Sequence, residues 1–428
     1  MSDKALRLFI FIFFAAVSAF AQDLTKSPYS AMGVGDLQFG GDATQDAIGQ
    51  TSQGVRRAYD LNNQNPASYG SLKQTIIQAG FRYDLGTIAN YSGSSPVDNF
   101  STAYLMLGIP LYEKIHWGMS FGLVPFSSVG YNVSSNINYS NTPSTQVING
   151  RGGLTKVYFG TGIALFRDFS VGVNISYIWG QIQSIKTIYF PPDSNMYNIE
   201  ENKTTYPADI RLEYGAQYHK NFSTKKQKDK YKLVLGGTVS LAKPMYTTQD
   251  YSVRTLGVGG TVYSKDTILY QTSIPGTINF PLTYKMGFSF EETERWMICG
   301  DVNFSNWSTY RSFGATDSLK NMMGFSVGAT YIPAKIDDVT PNYFRRVEYR
   351  IGARYDNGYL NINGNNISTI GVSAGLGLPI AKLRSRVNIS AEYFYRGTTA
   401  NNLIREDYFR LTLGIKFSDK WFVRNQYR

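Results

Sequence analysis

The chain has 428 residues, a formal net charge of +11, 15% aromatic side chains, 41 glycines and a single cysteine. With 17% charged residues and a mean hydropathy of −0.24, it offers no apolar run of roughly 18 residues beyond its first twenty, which excludes a bundle of membrane helices. Cys299 alone excludes an internal disulfide framework and suits an oxidising compartment.

At the N-terminus, Lys4 and Arg7 precede an apolar stretch from Leu8 to Val17, followed by Ala19-Phe20-Ala21. That is the pattern of a cleavable export signal, too short to span a bilayer, with cleavage expected after Ala21. No cysteine follows the cut, so a lipid anchor is not expected.

Residues 22–74 show no period-two alternation and no long amphipathic helix. They hold Ser27-Pro28-Tyr29-Ser30, many glycines and Asn65-Pro66-Ala67. The expectation is a compact plug, or hatch, surrounded by everything that follows.

From residue 75 the chain becomes one amphipathic strand after another. Ile77, Ala79, Phe81, Tyr83 and Leu85 alternate with Gln78, Gly80, Arg82 and Asp84; Phe409, Leu411, Leu413, Ile415 and Phe417 alternate with Arg410, Thr412, Gly414 and Lys416. About fourteen such segments occupy residues 75–417. Tyrosine and tryptophan lie at the tips of the apolar face, whereas glycine, serine and single charges fill the other. This is the pattern of a transmembrane antiparallel β-barrel with lipid outside and a polar lumen inside. Short turns alternate with longer connections at 127–153, 183–206 and 243–281, expected to be loops on the outer side. A basic tail, 418–428, is expected in the periplasm.

The hatch with its Asn65-Pro66-Ala67 directly before the first strand, Arg57-Ala58-Tyr59 upstream of it, and Asp301 to Ser308 resemble the FadL-type outer-membrane transporters of fatty acids and other hydrophobic compounds. The resemblance implies a hatch that closes the lumen, an apolar ligand bound beside it and a sideways exit through the barrel wall. The expected residence is therefore the outer membrane of a Gram-negative cell. The expected function is passive uptake of a fatty acid-like ligand by a monomer surrounded by outer-membrane lipid. The alternative is a non-transporting barrel of the same fold that docks secreted proteins or secretion machinery, as a PorV-like subunit.

An apolar solute gains roughly 25 cal/mol per Å² on leaving water, so a carrier needs apolar pockets within a polar lumen. Tyr104, Met106, Val124, Tyr158, Phe166 and Phe394 break the polar face and would line a ligand pocket or pack on the plug. Arg82, Arg350 and Arg354 would meet a carboxylate or pair with neighbouring acids. Pro125, which removes a ladder hydrogen bond in the third strand, marks the candidate lateral opening. His116 and His219 have no triad or metal-ligand spacing, so neither an enzyme nor a cofactor is expected. The basic balance falls to +10 without Lys4, Arg7 and Asp3, and no nucleic-acid partner is expected for an exported barrel.

Overall fold

The computed structural model describes residues 25–38, 41–139, 141–194, 196–223, 230–257, 264–317, 319–334, 342–380 and 385–421. The expected export signal, the lysines Lys225, Lys226 and Lys228, and residues 422–428 lie outside the described residues.

Alternation dictates strands, and sixteen long ones form in chain order. They are β1 (Thr75–Asn90), β2 (Gly93–Tyr112), β3 (Trp117–Tyr139), β4 (Thr142–Phe166), β5 (Phe169–Tyr189), β6 (Asn198–Phe222), β7 (Tyr231–Ser240) and β8 (Lys243–Leu256). Then come β9 (Ser264–Phe280), β10 (Thr283–Glu292), β11 (Trp296–Ser305) and β12 (Met322–Tyr331). The last four are β13 (Glu348–Asp356), β14 (Thr369–Pro379), β15 (Arg386–Gly397) and β16 (Arg405–Asp419). β1–β7 and β10–β16 make the wall, every neighbour antiparallel, and β16 closes on β1 through pairs such as Leu413 with Phe81. The result is a closed fourteen-stranded barrel.

Side chains sort by face as the period of two requires. On β16, Phe409, Leu411, Leu413, Ile415 and Phe417 are exposed, while Glu406, Tyr408, Thr412 and Lys416 are buried inside. Phe121, Phe159, Ile298 and Ile351 continue the outer skin around the wall. Eight steps from Phe409 to Phe417, at about 3.3 Å each on a tilted strand, give a height of about 20 Å, close to the apolar band of a barrel built for a bilayer.

One end of the barrel, where β1 begins and β16 ends, is called the near end here. At the far end the connections are not the loops expected at 127–153, 183–206 and 243–281. β3 and β4 run on to a tight turn at Tyr139↔Thr142, β5 and β6 continue likewise, and β8–β9 is a hairpin on the upper half of β6 through Asn198↔Leu256 to Pro207↔Thr247. These six strands form a tall sheet that stands about 33 Å along the strand direction beyond the wall, ten residues of β6 at about 3.3 Å each. Asparagine, serine and glycine gave those segments a loop-like composition, but a strand exposed on both faces needs no apolar alternation. Gly152 and Gly153, at φ of 113° and 150°, kink β4 opposite a bulge in β3 rather than end it. β16 also runs two residues past the expected end of the wall, to Asp419.

Inside the barrel, residues 25–38 and 41–74 form two 3-10 helices, Pro28–Ala31 and Pro66–Ser71, a short strand, Asp36–Leu37, and one α-helical turn, Ala43–Asp46, capped by Asp42. Residues 41–49 and 51–56 are almost wholly buried, packed between the wall strands.

Candidate functional site

The hatch sits where the wall has almost no side chains. An added methyl on Gly162 would lie 2.1 Å from the Pro66 carbonyl oxygen, on Gly236 2.0 Å from that of Gln53, and on Gly352 2.1 Å from the Gly49 nitrogen. Gly118, Gly162, Gly172 and Gly215 pair across four consecutive strands, giving a groove of bare backbone into which the hatch presses its own. Asn65-Pro66-Ala67 follows from this fit. The Asn65 side chain accepts the Ala67 N–H at 3.1 Å, capping the 3-10 helix Pro66–Ser71, and donates to the Gln53 carbonyl at 3.1 Å. Proline suits the first helical position, where no N–H is needed. Ala67 is fully buried, with no exposed surface.

Charges pin the rest. The Asp301 carboxylate accepts the Ser52 and Gln53 N–H groups at 2.6 and 3.0 Å. Arg57 meets Glu348 at 2.5 Å, Lys416 pairs with Asp60, and Arg82 with Asp46 at 3.0 Å. Burial in the hatch pushes the Asp42 carboxyl up to about 6, although it accepts the Thr44 and Gln45 N–H groups at 3.0 Å each.

The sequence-selected residues divide into four groups. Tyr104, Met106, Val124 and Tyr158 form one apolar cluster with the hatch residues Leu61, Tyr69 and Leu72. Arg82 and Arg350 are buried in ion pairs, the latter with Glu348 at 2.9 Å and with Asn388. Phe166 lies on the near-end turn, 72% exposed, away from the lumen. Its position after Leu165 breaks the alternation because a bulge separates Ala164 from Phe166, not because it turns inward. Arg354 and Phe394 come together: the guanidinium lies 5.1 Å from the ring centroid, Arg410 lies 4.9 Å from it, and Tyr408 stacks on the same ring at 5.3 Å.

Those rings line a lumen cavity of about 110 Å³ together with Leu37, Asp84, Val97, Asp98 and Arg396. A second cavity, of about 160 Å³, lies deeper among Lys156, Arg211, Glu213, Lys285 and Asp301. Toward the far end the mouth is filled by Trp307, Tyr310, Tyr359, Phe280 and Leu319, a buried apolar cluster.

The wall itself is incomplete. β2 and β3 pair only from Tyr112↔Trp117 to Leu105↔Leu123; among the described residues no pair joins them beyond that point. The parting falls in the middle of the apolar skin, since Ala79 and Phe81 flank it on β1 and Phe81 pairs with Leu413. Two causes are visible. β2 carries a bulge at Ala103, between Gly80↔Tyr104 and Phe81↔Thr102, and β3 carries Pro125 and a bulge just past Leu123. The hatch then takes the vacated edge of β3: Asp36 and Leu37 pair with Ser128 and Ser127, the Gln38 N–H donates to the Phe126 carbonyl, and Ser30 bonds to Gly130. From this part of the hatch the exposed Lys26–Asp98 pair at 3.3 Å, worth about 0–1 kcal/mol, reaches β2. The bulge and the hatch strand had no sequence signature, because Asp36-Leu37 is too short for periodicity.

A closed fourteen-stranded barrel with an apolar skin, an internal hatch and a parted wall defines a FadL-type fold. The solved toluene transporter TodX of Pseudomonas putida matches it at a TM-score of 0.55 and 14% identity, over 91% of this chain and 100% of that one. The toluene transporter TbuX of Ralstonia pickettii matches at 0.55 and 11% identity, over 89% and 98%. A FadL homologue of Pseudomonas aeruginosa matches at 0.53 and 12%, over 90% and 98%. The likeness is one of fold. By sequence, the chain belongs to the BamG family, whose model matches residues 1–428. No curated protein matches it.

Proposed function

We propose that the chain resides in the outer membrane of a Gram-negative cell, near end toward the periplasm, and admits small hydrophobic molecules through the parting of β2 and β3. The same proposal divides it into a leader (1–21), a hatch (22–74), the barrel from residue 75, and a short periplasmic tail. The observation that carries the reading is the gap that begins at bilayer depth, above which Val97 and the stacked Phe394 and Tyr408 line a lumen cavity. A cavity of about 150 Å³ holds one benzene ring in other proteins, so lumen cavities of about 110 and 160 Å³ favour a single-ring solute over a long acyl chain. That agrees with TodX and TbuX being toluene transporters. Arg354 and Arg410 already have the partners Glu392 at 2.5 Å and Asp84 at 2.7 Å, which disfavours a carboxylate ligand there.

The test is uptake of radiolabelled toluene and of radiolabelled palmitate by cells lacking the gene and by the complemented strain. Complementation is expected to speed toluene entry several-fold and leave palmitate entry unchanged. Equal toluene entry in both strains overturns the proposal.

A second reading, a barrel that docks proteins, is favoured by the tall far-end sheet, which the transport route does not use. It carries exposed Tyr139, Tyr189, Tyr246 and Tyr270. Rigid aromatic phenols on a polar sheet are good contact surfaces.

A further inference from the structure

Above the parting, β2 and β3 present bare strand edges to one another. Among the described residues, the stretch 93–101 of β2 pairs only with β1 and the stretch 131–139 of β3 only with β4. Between them runs a cleft of about 910 Å³, with Thr25, Lys26 and Pro28 of the hatch at its base. Its walls mix Ser94, Ser95, Asn132 and Ser134 with Val97, Tyr131 and Val133. The unmet groups are backbone N–H and C=O, and a row of such groups is a template for another strand.

The chain already shows the kind of ligand that this edge takes. At the foot of the free edge, midway along β3, Asp36 and Leu37 add to it as an antiparallel strand and leave off where the cleft begins. Counted from Leu105↔Leu123, the two edges face one another over about five residues, 93–97 and 131–135, or about 17 Å, enough for a strand of ordinary length.

We propose that the cleft receives an extended segment of a partner protein, which pairs with β2 on one side and β3 on the other and carries the hatch strand's ladder upward. The recognised chemistry is an unstructured polypeptide able to lie flat as a strand, with small or polar side chains toward Ser95 and Ser134. The inference deepens the docking reading and rests on it. It is separate from the carrier reading, whose test is uptake.

The experiment places the photo-reactive residue p-benzoyl-phenylalanine in the full-length protein in cells, one position at a time. The positions are Ser95 on β2, Ser134 on β3, and Tyr246 and Tyr270 on the other border of the sheet. Heat-modifiable migration in gels confirms that each variant is folded. The expected result is that positions 95 and 134 capture the same short segment of one partner, with adducts on alternate residues of that segment, as a strand between two edges demands. The same partner should lose capture when Gly130→Val, whose side chain would collide with the Thr25 carbonyl, displaces the hatch from the foot of the cleft. Adducts only to lipid, no adduct at either edge, or adducts scattered along a folded partner surface each overturn the proposal. If Tyr246 and Tyr270 capture a partner while Ser95 and Ser134 do not, docking stands and the strand proposal fails. If no position captures protein, both fail.

Discussion

At the scale of single residues, the hatch is held by side chains that serve backbone groups as well as by the apolar cluster at Leu61, Tyr69 and Leu72. Asn65 caps one turn and ties it to Gln53. Asn65→Ala removes a cap and leaves the buried Ala67 N–H without its acceptor, which costs about 1–2 kcal/mol in comparable settings. The midpoint of heat-modifiable unfolding of the purified barrel should fall accordingly, and an unchanged midpoint contradicts the fit described here. Asp42 makes the opposite case. Its carboxyl is held up at about 6 by burial, above its unfolded value, so the stability linked to it is full below about pH 4 and is lost as pH rises through 6. Asn caps as well as Asp, so Asp42→Asn should unfold later than the natural chain at pH 7.5 and match it near pH 4. A variant that is less stable at pH 7.5 contradicts this account.

At the scale of elements, the strands were legible and their ends were not. Alternation located every wall strand because each has one face in lipid and one in the lumen, as β16 shows with Phe409 to Phe417 outside. It failed for residues 127–153 and 183–206, where β3–β6 leave the bilayer and polar side chains interrupt the alternation. Of the candidate site, Arg354 and Phe394 come together in one cavity, since an aromatic and a cation on the lumen face stand out in the sequence. Their neighbours Val97 and Tyr408 did not, because which strands face one another across the bore depends on closure and register. Phe166 was misread through a one-residue bulge. The glycine groove was visible only as polar-face filler, yet it decides where the hatch lies. Gly172→Val would set a side chain against the Pro66 carbonyl carbon, 2.4 Å from the added methyl, where no side chain can yield. Displaced hatch is expected to raise vancomycin sensitivity of expressing cells at least several-fold, and unaltered sensitivity with normal folding contradicts the close packing.

At the scale of the whole molecule, two surfaces divide the work. The apolar skin fixes depth in the bilayer, and Leu413→Arg, at its middle, should cost about 2–4 kcal/mol in a lipid-refolding titration. The parting of β2 from β3 lies at that same level, and the proposed uptake route uses it as the doorway from lipid to lumen. The most direct test is a crystal of the protein soaked with bromobenzene, read by the anomalous signal of bromine. The account predicts a peak in the cavity between Val97, Phe394 and Tyr408, just inside the parted wall. Bromine found only on the lipid-facing skin, or no ordered bromine at all, would contradict it.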